Sequence, residues 1–175
     1  MNNELGGKRR LVQLDSGFIE AEGIDMNGDD ILSGWGRMII DVSTAVRVAT
    51  YIAIRGCSDD VVDGLGCLLD CQVLEAQEIL DRNSADLRWS EPAMSQRKWL
   101  YLEMKALYEC KDRLSDPFDW VESIFCDFGY PDSIAGVVRW MPLQVGQQPG
   151  KEAMMERWAE FLEREHEALL KQRDA

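Results

Sequence analysis

The chain has 175 residues, 46% of them apolar and 29% charged, which is the composition of one globular domain and excludes a disordered or low-complexity polymer. Its net charge of -13 argues against any role that needs a basic groove for nucleic acid or an attraction to anionic lipid. No stretch approaches the roughly 18 to 20 apolar residues of a membrane span, and the short apolar run after Lys8, Arg9 and Arg10 is no signal-peptide core, so the expected compartment is the cytoplasm.

In chain order, Leu11, Val12 and Leu14, then Phe18 and Ile19, flank an Asp15-Ser16-Gly17 turn, and Asn27-Gly28 marks another. This predicts a small N-terminal hairpin or extended arm over residues 1–28, packed on a helical domain over residues 29–175, the two forming one domain. From Val42 to Arg55 the apolar residues fall at helical spacing, with Gly56 placed as a left-handed C-terminal cap. Ser58 is placed to cap the next helix, with Asp59 and Asp60 in its first turn, and Gln72 to Arg82 reads as a third helix with Val73, Leu74, Ala76, Ile79 and Leu80 in its stripe. The wide stripe of 94–114, through Trp99, Leu102, Ala106 and Cys110, predicts a central helix.

Asp116-Pro117 supplies an N-cap residue followed by proline at the first helical position. Phe118, Val121, Phe125 and Phe128 then line one side of that helix, leaving Asp119, Glu122 and Ser123 on a wet face whose charges are all acidic. Gly129 ends it, Pro131 opens a short helix through Arg139, Gly146 to Gly150 reads as a loop, and a last helix runs from Lys151 to about Lys171. The expected fold is all-α, a single compact domain of six to eight helices with the small N-terminal element.

The charge pattern is more informative than the elements. Between Arg10 and Arg37, Arg55 and Arg82, and Arg113 and Arg139 there is no lysine or arginine, yet these windows hold eighteen of the thirty-two carboxylates. Ordinary solvated helices interleave signs as i, i+4 pairs. Unbroken acidic blocks brought to one face create a field that attracts a basic partner.

Catalytic and metal chemistry finds little support. His166 is the only histidine and lies in a Glu-Arg-Glu-His-Glu run that reads as surface; the position four residues on, where a zincin needs its second ligand, is Leu170. Cys57, Cys67, Cys71, Cys110 and Cys126 form no C-x-x-C pair and read as reduced core thiols. Asp25 to Asp29 lacks the calcium-loop spacing, and Gly64-Leu65-Gly66 has Leu69 where a dinucleotide fingerprint needs a small residue. Trp89, Trp99, Trp120 and Trp140, lacking a basic groove, read as core. No catalytic, cofactor-binding or metal-binding residue is assigned.

The segments Trp99-Leu100-Tyr101-Leu102, Leu107-Tyr108-Glu109, Asp116-Pro117-Phe118, Ile124 to Pro131 and Val137 to Pro142, together with a looser Ser33 to Leu80 layout, cover about two thirds of the chain. They resemble an uncharacterised bacterial family of small helical proteins, several of which sit beside polymorphic-toxin genes and are taken to be immunity proteins. That resemblance implies an immunity role; joined to the acidic blocks and the expected compartment, it gives a cytoplasmic immunity protein that neutralises a cognate toxin by stoichiometric binding, without catalysis or cofactor, its acidic faces covering a toxin that is basic around its active site. The contact residues expected from the acidic blocks are Asp59, Asp60, Asp63, Asp70, Asp116, Asp119, Glu122 and Asp132. The alternatives are a metal-dependent hydrolase-like enzyme reversing the toxin's modification, and a helical adaptor without a toxin.

Overall fold

The computed structural model describes residues 13–69, 71–84 and 92–171. Among these described residues eight α-helices and two 3-10 turns make up the regular structure, and no strand occurs. The fold is all-α.

The N-terminal hairpin is corrected where it can be seen, residues 1–12 lying outside the described set. Helix α1, Ser16–Glu22, starts at Asp15, whose carboxylate accepts the Phe18 N–H at 2.9 Å, and ends at Gly23 with φ 68°. Helix α2, Gly28–Gly36, starts at Asn27, which exchanges side-chain and backbone hydrogen bonds with Asp30 in a capping box. The same short polar side chains that make turns also cap helices, and here capping wins because Ile19, Ile24, Met26 and Ile31 all become buried.

Helix α3, Val42–Ile54, matches its periodicity, and Gly56 follows at φ 88°. Its N-cap Asp41 accepts the Thr44 N–H at 2.8 Å, and that backbone bond is the first cause holding the Asp41 carboxyl below its ordinary value. A carboxyl with a depressed folded-state pKa stabilises above its unfolded value and loses that contribution as pH falls through the folded one. Asp41→Ala is therefore expected to cost about 1 kcal/mol near neutrality. Urea midpoints measured down an acid series should show the gap to the unmodified chain closing; a constant gap would reject this cap.

Helix α4, Asp60–Gly66, is capped by Asp59 and not by Ser58, because the Asp59 carboxylate accepts both the Val61 and Val62 N–H groups. Helix α5, Val73–Ser84, packs on α4, with Gly64 of α4 against the Ile79 side chain. It buries only Ala76 and Leu80, and the expected stripe members Val73 and Leu74 are exposed.

Helix α6, Ala93–Cys110, is the central element, contacting α2, α7 and α8 and continuing into a 3-10 turn, Lys111–Arg113. Trp99 is fully buried, and its indole N–H donates to the Asp30 carbonyl at 2.7 Å. A Cβ on Gly34 would lie 2.3 Å from the Trp99 ring, so only glycine lets α2 approach here. Beside it, the Lys98 ammonium meets the Asp30 carboxylate at 2.6 Å, and Arg97 reaches Glu165 at 2.6 Å.

Helix α7, Pro117–Asp127, begins as its Asp-Pro signal predicts, and buries Phe118, Val121 and Phe125. The chain then leaves through Gly129 at φ 72°, into a 3-10 turn, Asp132–Val137, in place of the short helix expected from Pro131 through Arg139. Helix α8, Lys151–Lys171, has the expected bounds, and its Trp158 packs against Tyr108 and Phe118. Arg157 donates to the Gly136 and Gln148 carbonyls, fastening the loop that precedes α8.

Candidate functional site

The acidic second block lies on the α4 and α5 pair. Asp59 is occupied, since one oxygen caps α4 and the other accepts the Gly28 N–H of α2 at 2.8 Å. Its oxygens are thus engaged in holding α4 and α2 together. Asp60 and Asp63 are exposed, Asp63 accepting the Ser58 hydroxyl at 2.7 Å. Asp70 lies outside the described residues. Glu75, Glu78 and Asp81 of α5, which the sequence reading did not single out, are exposed as well. None of Asp60, Asp63, Glu75, Glu78 and Asp81 has a basic partner among the described residues. Leu69, in the loop between α4 and α5, and Leu74, in the first turn of α5, are 67% and 75% exposed. Among the described residues α4 and α5 thus carry five carboxylates without a basic partner, beside two bare leucines.

The third block differs. Arg139 donates to Asp116 at 2.8 Å, to Glu122 at 2.8 Å and to Asp119, and the bonds to Glu122 and then Asp119 hold its guanidinium above even the ordinary arginine range. The expected all-acidic wet face of α7 is corrected: a base seventeen to twenty-three residues away in sequence folds back over it. Asp116 also accepts the Phe118 N–H as the cap of α7. Asp132 alone of this candidate set stays exposed with no basic partner among the described residues.

Of the first block only Asp30 is buried; Glu20 and Glu22 are half-buried, and Asp15, Asp25 and Asp29 are exposed. Asp30 pairs with Lys98, Asp25 meets Arg55 at 3.3 Å, and Glu22 accepts the Tyr101 hydroxyl. It touches the second block at the α2–α4 junction, where burial first, then the charges of Asp59, Asp25, Asp30 and Asp63, push the Cys57 thiol up. A thiol so placed is a poor nucleophile. Cys67, Cys71 and Cys126 are exposed, and Cys57 and Cys110 half-buried, which corrects their reading as core thiols; Cys67 and Cys71 fall where α4 has ended.

His166 is half-buried, not a surface residue, because it follows Leu162 by four positions and precedes Leu169 by three on the docked side of α8. Its ring stacks on Tyr101 at 5.7 Å, and Nε2 lies 3.1 Å from the Glu22 carbonyl. With Glu22, Lys105, Tyr108 and Glu163 these residues line a cleft of about 270 Å³. Burial, then the hydrogen bond to Glu22, keeps the Tyr101 hydroxyl protonated well above its ordinary range. Tyr101 and His166 both meet Glu22, at its carboxylate and its carbonyl, an arrangement that braces α1 on α6 and α8, while Glu163 and the Tyr108 hydroxyl have no hydrogen-bond partner among the described residues. Among the described residues no group of three or more His, Cys, Asp or Glu side chains is placed to hold a metal. Nor is any helix of those residues long and apolar enough to cross a membrane.

Of the four tryptophans read as core, Trp99 is buried, Trp120 half-buried and Trp140 54% exposed, while Trp89 lies outside the described residues. No curated protein and no solved structure matches the chain. A model of a family described as an uncharacterised protein conserved in bacteria (DUF2247) matches residues 17–166, from the first turn of α1 into the C-terminal half of α8. The chain belongs to that bacterial family.

Proposed function

We propose that this protein is a cytoplasmic, non-catalytic immunity protein, which neutralises a cognate bacterial toxin by stoichiometric binding to a basic surface around the toxin's active site. The observation that supports this reading best is the set of five exposed carboxylates on α4 and α5, uncompensated among the described residues and flanked by Leu69 and Leu74. Carboxylates of this kind raise the rate of encounter with a cationic partner, and the desolvated apolar side chains beside them slow its release. The α7 carboxylates take second place, because Arg139 already compensates part of their charge.

Co-expression with the product of a toxin gene found adjacent to its own, followed by pull-down, tests the partnership itself, and the absence of any such gene counts against it. The triple variant Asp63→Lys, Glu75→Lys and Glu78→Lys should keep its melting temperature within a few degrees and weaken toxin binding on the order of tenfold or more, with a shallower salt dependence. Neutralising Asp116, Asp119 and Glu122 should do less. Equal affinity and an equal salt slope for the triple variant would reject α4 and α5 as the docking face.

A further inference from the structure

At the far end of α7 three aromatic rings meet. The Tyr130 N–H donates to the Phe125 carbonyl at 2.8 Å and the Gly129 N–H to the Cys126 carbonyl, the paired bonds of a Schellman C-cap, and this cap brings the Tyr130 ring against Phe125. Tyr130 itself sits at φ 63°, left-handed geometry that a bulky residue rarely adopts. Trp140 completes the group, 5.4 Å from Phe125 and 6.5 Å from Tyr130, the last two ring planes inclined at 71°. Phe125 is fully buried beneath, whereas Tyr130 and Trp140 are 59% and 54% exposed.

Packing does not consume these two rings. Among the described residues neither the Tyr130 hydroxyl nor the Trp140 indole N–H has a hydrogen-bond partner. Elsewhere the protein fills its ring faces with its own cations: Arg37 over Phe128, Lys111 over Tyr108, Lys151 over Phe118. No cation of the described residues lies over Tyr130 or Trp140, and the adjacent Arg139 is held by Asp116, Asp119 and Glu122.

We infer that Tyr130 and Trp140 form a seat for an arginine side chain of the basic protein partner, so this proposal rests on the reading of the preceding subsection. Two inclined ring planes on a rigid base make the walls of a corner, and a flat, weakly hydrated guanidinium stacks on such a wall while keeping donors free. Asp132, exposed and two residues from Tyr130, offers a carboxylate to those donors. A second copy of this chain fits the corner poorly, since each copy carries a net charge of -13.

The test uses the full chain labelled with fluorotryptophan, its Trp140 resonance identified by Trp140→Phe, and titrated with capped tetra-arginine or its neutral isostere tetra-citrulline. Tetra-arginine should move the Trp140 resonance saturably and tetra-citrulline should not. Trp140→Ala should weaken the peptide threefold to tenfold, and Tyr130→Gly, which removes the ring while suiting the left-handed backbone, should do likewise. The same titration on the α4–α5 triple variant separates the two claims. A resonance that still moves there supports the seat independently of that acidic face. Peptide binding lost only in the triple variant, with Trp140 silent throughout, overturns the seat and leaves the acidic-face reading standing.

Discussion

Replacing Trp99 by alanine should lower the folding free energy by about 3–5 kcal/mol, because the site cannot collapse around the lost ring. The indole is fully buried at the closest approach of α2 and α6, where Gly34 is already in contact with it. Against a total stability of about 5–15 kcal/mol for a domain, such a loss brings the native state close to unfolding at growth temperature. A finer comparison isolates the hydrogen bond. Trp99→Phe removes one hydrogen bond from the Asp30 carbonyl, which keeps its helical bond within α2, and should cost about 0.5–1.5 kcal/mol beyond the change in packing. Trp158 is equally buried, but its N–H has no hydrogen-bond partner, so Trp158→Phe removes an unsatisfied donor and should be the milder change. Urea midpoints for the two phenylalanine variants in the opposite order would show that the α2–α6 contact is not the centre of the core.

Lys98→Met should have a comparable effect for an electrostatic reason. It leaves Asp30, 1% exposed, as a buried carboxylate without its ammonium, and breaking a pair of this kind costs about 3–5 kcal/mol. Asp30 also accepts the Asn27 N–H that opens α2, so the misplaced charge reaches the helix start as well. Adding Asp30→Asn to Lys98→Met removes the stranded charge while keeping an oxygen for that N–H, and the double variant should be more stable than Lys98→Met alone. A double-mutant cycle checks it: additive losses mean that the pair is not coupled and that the interior there is wet.

Both positions were visible in the sequence as parts of a helix, but their partner was not. Local signals carried the fold well wherever a cap and a periodic stripe agreed, as from Val42 to Ile54, at Asp116-Pro117 and along α8. They misled where one residue type serves two local purposes. Asp15 and Asn27 have the chemistry of turns and of N-caps, and what decides between them is the burial of Ile19 and Ile31 against helices far along the chain. On α5, spacing marked Val73 and Leu74 as interior, yet only Ala76 and Leu80 meet α4 and its neighbours. The acidic blocks were legible as composition, and their availability was not. Nothing local announces that Arg139 will return to Asp116, Asp119 and Glu122, or that Lys98 will take Asp30 out of the field. The exposed rings escaped for the same reason, since Trp140 reads as core until the 3-10 turn after Pro131 leaves it half outside.

The bare charges of α4 and α5 also bear on how the native state loosens. Like charges held on two adjacent short helices repel one another, while α5 is fastened beneath by little more than Ala76, Ile79 and Leu80. This corner is consequently where amide protons should exchange first, and a bound polycation, by relieving the repulsion, should slow that exchange as well as occupy the surface.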